Sequence, residues 1–214
     1  MRNRLIMKYP SSWWGAKWRE ALPTGNGLIG AAVYGAVHDE TVLLTHEDLW
    51  HGVRTESLPD VSASLPEVRR LLQEGEVRAA DRLLADELQR RGYDPDIGTP
   101  LPLADLRIRM PVDRGFSRYR RSLDMETGEV AVTWVDGEVS YGRNLFVSSP
   151  DNLVAMEITS SAPSLTVEVA LDLHDREDAR SSQTGDLARL PEALDVLSDE
   201  TGWIRYAARN DDGR

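Results

Sequence analysis

The sequence predicts a mainly β protein: an antiparallel β-sandwich with a two-helix insertion near residues 64–91. Three observations predict it. From residue 103 onward, apolar residues recur at every second position. An Asp136-Gly137 pair sits between two such runs. Between residues 64 and 91 the apolar spacing is three and four instead. Alternation marks a strand half-buried on one face, whereas spacing near 3.6 marks an amphipathic helix. Regularly spaced strands with turn residues between them read as a sandwich.

The elements follow in order. Residues 9–27 are Trp-rich and irregular. Leu28 to Val37 and Thr41 to Thr45 are β-compatible, with His38-Asp39-Glu40 as the turn between them. Ser64-Leu65-Pro66-Glu67 fits a capping box, with Ser64 as N-cap, Pro66 in the first turn and Glu67 reaching back. Leu65, Val68, Leu71 and Leu72 share one face of the first helix, which Gly75 interrupts. Val77, Ala80, Leu84 and Leu88 form the second, which Gly92 and Pro95 end.

Beyond residue 103, Leu106, Ile108 and Met110 alternate with Arg107 and Arg109. Val130, Val132 and Trp134 form one apolar face, and Val139, Tyr141, Leu145 and Val147 form the next. With Asp136-Gly137 as a type I′ loop, Trp134 faces Val139 and Val132 faces Tyr141, so the two apolar faces coincide and Trp134 is core. Val154, Met156 and Ile158 alternate, as do Leu165, Val167, Val169 and Leu171. Thr201 to Ala208 reads as a last strand, followed by the turn-like Asn210-Asp211-Asp212-Gly213. That ending resembles half a hairpin, so residues 1–214 are expected to be one sandwich domain truncated at its C-terminal end.

Composition excludes several function classes. Lys plus Arg number 25 and Asp plus Glu 36, a net charge of −11. Such a surface lacks the basic footprint of a nucleic-acid or anionic-membrane binder. Cysteine is absent, which excludes disulfides, thiolate metal sites and a thiol nucleophile. Leu5-Ile6-Met7 is too short for a signal peptide, which needs roughly 7–15 apolar residues. A cytoplasmic protein without metal or cofactor is expected.

Gly25-Asn26-Gly27-Leu28-Ile29-Gly30 matches G-x-G-x-x-G literally, with Glu47 and Asp48 downstream. A dinucleotide site needs a buried strand before the motif and a helix after it. Pro23-Thr24 precede it and a strand-like run follows, so it reads as a Gly-rich turn. His46, Glu47, Asp48, Trp50 and His51 are the densest polar-aromatic cluster. They are expected in the loop after the Thr41 to Thr45 strand, and the readings are a structural loop, contact with a sugar or a neighbouring domain, or acid–base chemistry. The histidine spacing matches no metal pattern. Trp13, Trp14 and Trp18 are candidates for stacking on a sugar or for covering an apolar surface, and Trp203 is ambiguous. Asp172, His174, Asp175, Glu177 and Asp178 read as a charged, solvated loop.

Six segments, in order, resemble glycoside hydrolase family 95, the α-L-fucosidase-like enzymes. Trp18-Arg19-Glu20-Ala21-Leu22-Pro23-Thr24-Gly25-Asn26-Gly27 through Ala31 resembles W-x-E-A-L-P-x-G-N-G-x-x-G-A. Leu44 to Gly52 resembles L-N-E-D-T-L-W-S-G, with Thr45-His46 in place of Asn-Glu. Leu65 to Leu72 with Ala79-Ala80 resembles the family's helical insertion. Pro102-Leu103-Ala104-Asp105-Leu106 resembles P-L-G-D-L, with Ala104 in place of Gly. Tyr119-Arg120-Arg121-Ser122-Leu123-Asp124-Met125-Glu126-Thr127-Gly128 matches Y-R-R-x-L-D-L-x-T-G, and Phe146 to Asn152 matches F-x-S-x-P-D-x.

The resemblance implies the N-terminal, supersandwich-like domain of such an enzyme. An (α/α) barrel carrying the acid and base of an inverting mechanism would follow it, and no catalytic residue is carried over to this chain. The domain's expected role is to pack against and support that barrel, with Glu47, Asp48, Trp50 and His51 at the substrate entrance or the domain interface. Carbohydrate is then the partner through the parent enzyme. An exposed docking surface, or an oligomer covering it, is the corresponding expectation for the chain by itself. A free-standing carbohydrate-binding module, with a platform of Trp13, Trp14 or Trp18, is the alternative.

Overall fold

The computed structural model describes residues 3–11, 17–51, 58–93, 99–111, 115–174, 192–198 and 202–209. The chain divides into two compact units, Met1–Leu49 with Pro100–Arg214, and Trp50–Thr99.

The first unit is built of strands. They are β1 (Arg4–Met7), β2 (Leu22–Gly25), β3 (Ile29–Val33), β4 (Asp39–His51), β5 (Thr99–Arg109), β6 (Phe116–Asp124), β7 (Val130–Asp136), β8 (Val139–Ser148), β9 (Leu153–Ser160), β10 (Glu168–Asp172), β11 (Glu192–Ser198) and β12 (Ile204–Arg209). One sheet has the order β1-β6-β7-β8-β9 and the other β10-β5-β4-β3-β2, while β11 and β12 form a ribbon. Antiparallel pairing and two five-stranded sheets make this the expected sandwich.

The core lies between the sheets. Val130, Val132, Trp134 and Leu145 from one sheet meet Leu22, Ala31, Val33, Val42 and Ile108 from the other. Full burial of each such aliphatic side chain contributes about 1.5–3 kcal/mol. Trp134 is 2% exposed and stacks on Tyr141 with centroids 5.3 Å apart and planes 9° from parallel.

The β7–β8 register differs from expectation. Asp136 pairs with Val139, Trp134 with Tyr141 and Val132 with Arg143, so the loop is Gly137-Glu138. Gly137 has φ 59° and Glu138 is not among the positive-φ residues, the pattern of a type II′ turn. A type I′ turn over Gly137-Glu138 would force Glu138 into the left-handed region, whereas type II′ requires it only of the glycine. The shift preserves strand parity, so the apolar faces still coincide.

Other boundaries moved as well. Leu5-Ile6-Met7 forms a strand paired with Leu123, Ser122 and Arg121. Leu22–Gly25, within the stretch read as irregular, pairs with β3. Asp39 and Glu40 begin β4 rather than forming a turn; the turn is residues 34–38. Ile204–Arg209 is the second arm of a hairpin whose first arm, β11, lies upstream.

The second unit holds α1 (Leu65–Gln73) and α2 (Val77–Arg90), with Val68 and Ala80 buried. The expected capping box is not formed. A 3₁₀ turn, Ser62–Ser64, leads directly into α1, leaving Ser64 in the helical region with no side-chain cap bond, and Glu67 pairs with Arg70 at 2.6 Å. The C-terminus of α1 closes as a Schellman motif: Gly75 N–H donates to Leu72 O and Glu76 N–H to Leu71 O, with Gly75 at φ 80°. Among the described residues no helix is long and apolar enough to cross a membrane.

Candidate functional site

Among the described residues of the sandwich, four polar groupings bear on function. The first is buried. Glu40, at the start of β4, is 1% exposed and pairs through Oε2 with Arg143 Nη2 at 3.0 Å. Its Oε1 accepts from Gly35 N–H at 2.8 Å and Thr41 N–H at 3.1 Å. Arg143 also donates to Ala36 O, and its guanidinium lies 4.8 Å from the Trp134 ring centroid. Tyr119 Oη donates to Gly35 O at 2.6 Å. Arg121, fully buried, donates to Tyr9 O, Ser11 Oγ and Tyr34 O at 3.0, 2.9 and 3.0 Å.

Burial pushes the Glu40 carboxyl above the ordinary range, against the pull of Arg143 and the backbone N–H groups of Gly35, Ala36 and Thr41. Burial likewise raises Tyr119 and lowers both guanidiniums. Nearly every acceptor of this network belongs to the 34–36 turn or to the segment at residues 9–11. Its chemistry is therefore that of a brace holding the β3–β4 turn against β6 and β8. Gly35 is required there: it has φ 79°, and a Cβ would lie 2.5 Å from Tyr119 Oη and 2.8 Å from Arg121 Cδ.

The second place is one end of the sandwich. Asn26, at the tip of the β2–β3 hairpin, accepts at Oδ1 from Leu28 N–H (3.0 Å) and Ile29 N–H (2.8 Å). Its Nδ2 donates across to the other sheet, to Ser148 O (3.2 Å) and Asn152 Oδ1 (2.7 Å). Ser148 Oγ in turn donates to Asp151 Oδ2 at 2.7 Å. The G-x-G-x-x-G sequence is therefore a β-hairpin in which Gly25 pairs with Gly30, and no helix follows it.

The third place is the outer side of β5. His174 Nδ1 lies 2.9 Å from Asp105 Oδ1, with both side chains buried. Thus His174 is not in a solvated loop, as the run of charges implied; it pairs with an acid a strand away. Tyr206 of β12 is raised by burial and by the nearby Asp172 and Asp105 charges.

The fourth place holds the candidates from the sequence. His46, Glu47 and Asp48 stand on β4 rather than in a loop after it, because pairing continues: Ile29 pairs with His46 and Glu47 N–H donates to Leu28 O at 2.9 Å. Glu47 and Asp48 are exposed, and Asp48 Oδ2 lies 3.7 Å from His46 Nδ1. Consecutive strand residues point to opposite faces, so these two carboxylates diverge. Trp50 and His51 continue the strand, and Trp18 lies in a 3₁₀ turn (Lys17–Glu20); the side chains of all three fall outside the described residues, as do Trp13 and Trp14. Among the described residues, no group of three His, Asp or Glu side chains is placed to hold a metal ion.

The buried brace draws in part, and the end clasp wholly, on segments that carry the resemblance. Tyr119 and Arg121 serve the brace, while Asn26, Ser148, Asp151 and Asn152 serve the clasp. A family model described as the N-terminal domain of glycosyl hydrolase family 65 matches residues 5–211. The chain belongs to that family. Its description gives family 65 where the motifs resembled family 95, and both describe the N-terminal domain of a glycoside hydrolase.

Three curated relatives share the region. Alpha-L-fucosidase 2 of Arabidopsis thaliana is 31% identical over 160 residues, covering 72% of this chain and 18% of the relative. A probable alpha-fucosidase A of Aspergillus niger is 31% identical over 156 residues, covering 68% and 19%. The probable alpha-fucosidase A of Aspergillus oryzae is 27% identical over 186 residues, covering 80% and 24%. The chain thus spans about a fifth of the length of the curated relatives it matches.

Glu40, Arg121, Arg143 and Asn26 were not singled out from sequence. A signal existed for Arg143, which interrupts the apolar face of Tyr141, Leu145 and Val147 with a charge. A charged residue at an inward position needs a buried counter-charge.

Proposed function

We propose that this chain is the non-catalytic N-terminal domain of a family-95-like glycoside hydrolase acting on terminal α-L-fucosides or similar glycosides, and that it supports a catalytic (α/α) barrel. The observation that carries the reading is that its matched relatives are fucosidases several times its length. The site geometry supports the non-catalytic role. Glycoside hydrolysis needs two carboxyl groups flanking one bond, roughly 5–9.5 Å apart. Glu47 and Asp48 diverge from the strand, and Glu40 is sealed in the core. In this reading the end of β4 that carries Glu47, Asp48, Trp50 and His51 faces the barrel or the substrate entrance.

The test is to express the 214-residue chain and its downstream continuation separately, then mix them. The continuation is expected to gain heat stability and turnover of an aryl α-L-fucoside when this chain is added. A continuation equally active and stable without it overturns the supporting role.

A further inference from the structure

We propose that Asn26 is a site of spontaneous deamidation whose rate is set by the clasp joining the two sheets. Asn26-Gly27 is the single Asn-Gly pair of the sequence. In such a pair the backbone nitrogen of the glycine, losing its proton, attacks the asparagine Cγ. The bond from Cγ to Nδ2 breaks and ammonia leaves with that proton. Water then opens the resulting succinimide to aspartate or isoaspartate, so the net change is amide plus water to carboxylic acid plus ammonia. Gly27 offers no side chain to hinder the attack, and a Cβ placed on it would meet nothing within 4 Å.

The fold opposes this reaction. Oδ1 is held by the N–H groups of Leu28 and Ile29, and Nδ2 by Ser148 O and Asn152 Oδ1. Ring closure carries Cγ onto the Gly27 nitrogen and pulls the amide away from all four partners. A side chain locked away from the attack geometry reacts slowly, because the aligned conformer is rarely populated. Two of the partners, Ser148 at the end of β8 and Asn152 in the β8–β9 turn, belong to the other sheet, so the protection depends on the intact sandwich. The product reverses the sign of the clasp: a carboxylate oxygen replaces the Nδ2 donor, and the Ser148 carbonyl has no proton to offer it.

The test ages the 214-residue chain in mildly alkaline buffer, with and without unfolding urea, and follows the mass gain of about 1 Da by peptide mapping. Asn26 is expected to convert about tenfold or more faster in urea than in the folded chain, since reaction requires opening of the clasp. Asn152→Gly keeps the φ of 56° at that position but deletes the acceptor. It is expected to raise the folded-state rate severalfold, while Asn152→Asp, which retains an oxygen acceptor, leaves it unchanged. Equal Asn26 rates in the folded and unfolded chain, or conversion concentrated at another asparagine, overturns the proposal. So does a folded Asn152→Gly chain that converts no faster than the unsubstituted one.

Discussion

Glu40 and Glu47 stand on the same strand, and their surroundings have little in common. Glu40 is 1% exposed, ion-paired to Arg143 and bonded to two backbone N–H groups. Glu47 is exposed, and what holds it in place is its backbone, through Leu28 O. The difference comes from the face each takes: Glu40 shares the inward parity of Val42, whereas seven residues along the strand turn Glu47 to the opposite face. On the inward face β8 supplies a guanidinium, and the 34–36 turn folds over the carboxylate. One strand thus carries a buried acid that specifies the fold and exposed acids that do not. Composition cannot separate the two.

Breaking the buried half should have the largest effect. Replacing Arg143 by Ala leaves the Glu40 charge in the core without its partner, and removal of one member of a buried pair costs about 3–5 kcal/mol. Urea denaturation of R143A is expected to show a loss of that size. The Gly35→Ala chain comes next. It combines a positive φ with two contacts under 3 Å, and about 2–4 kcal/mol is expected from strain and displaced brace residues. A smaller loss follows for Asn26→Ala. The clasp's two cross-sheet bonds disappear, while the Ser148 carbonyl keeps the Asn152 N–H at 3.1 Å, so about 0.5–1.5 kcal/mol is lost for each bond.

The mildest effect is read from the pH dependence of stability. Asp124 is held below the ordinary aspartate value by the Glu126 N–H and then by Arg4, at 3.1 Å. A carboxyl lowered in the folded state contributes stability above its unfolded value of about 3.8, and that contribution is lost as pH falls through the lower folded value. Asp124→Asn is therefore expected to melt at a lower temperature at neutral pH and to flatten the acid limb of the stability curve, the two chains converging as pH falls below the folded value. Thermal melts from neutral pH through that acid range check it.

How far the sequence reveals these regions follows from range. Alternation is local, so the β7–β8 hairpin, the core position of Trp134 and the helical pair were legible residue by residue. The turn type was missed because Asp-Gly and Gly-Glu loops preserve the same strand parity, and parity is all that the pattern reports. The brace was hidden for another reason. Glu40, Tyr119, Arg121 and Arg143 are brought together only by sheet packing, and of the four only Arg143, a charge on an apolar face, signals burial from its own segment. His174 misled in the same way: a run of charges implied solvent, whereas Asp105 of a neighbouring strand buries it. The stretch from His46 was read as a loop, because its polar run hides the continued pairing with β3.

The most direct test of the division along β4 is turnover of an aryl α-L-fucoside by the purified 214-residue chain. The account predicts no turnover above the uncatalysed reaction, with Glu47→Gln and Asp48→Asn changing neither that result nor stability by more than about 0.5 kcal/mol. Measurable turnover by the chain alone, abolished by either substitution, would contradict it.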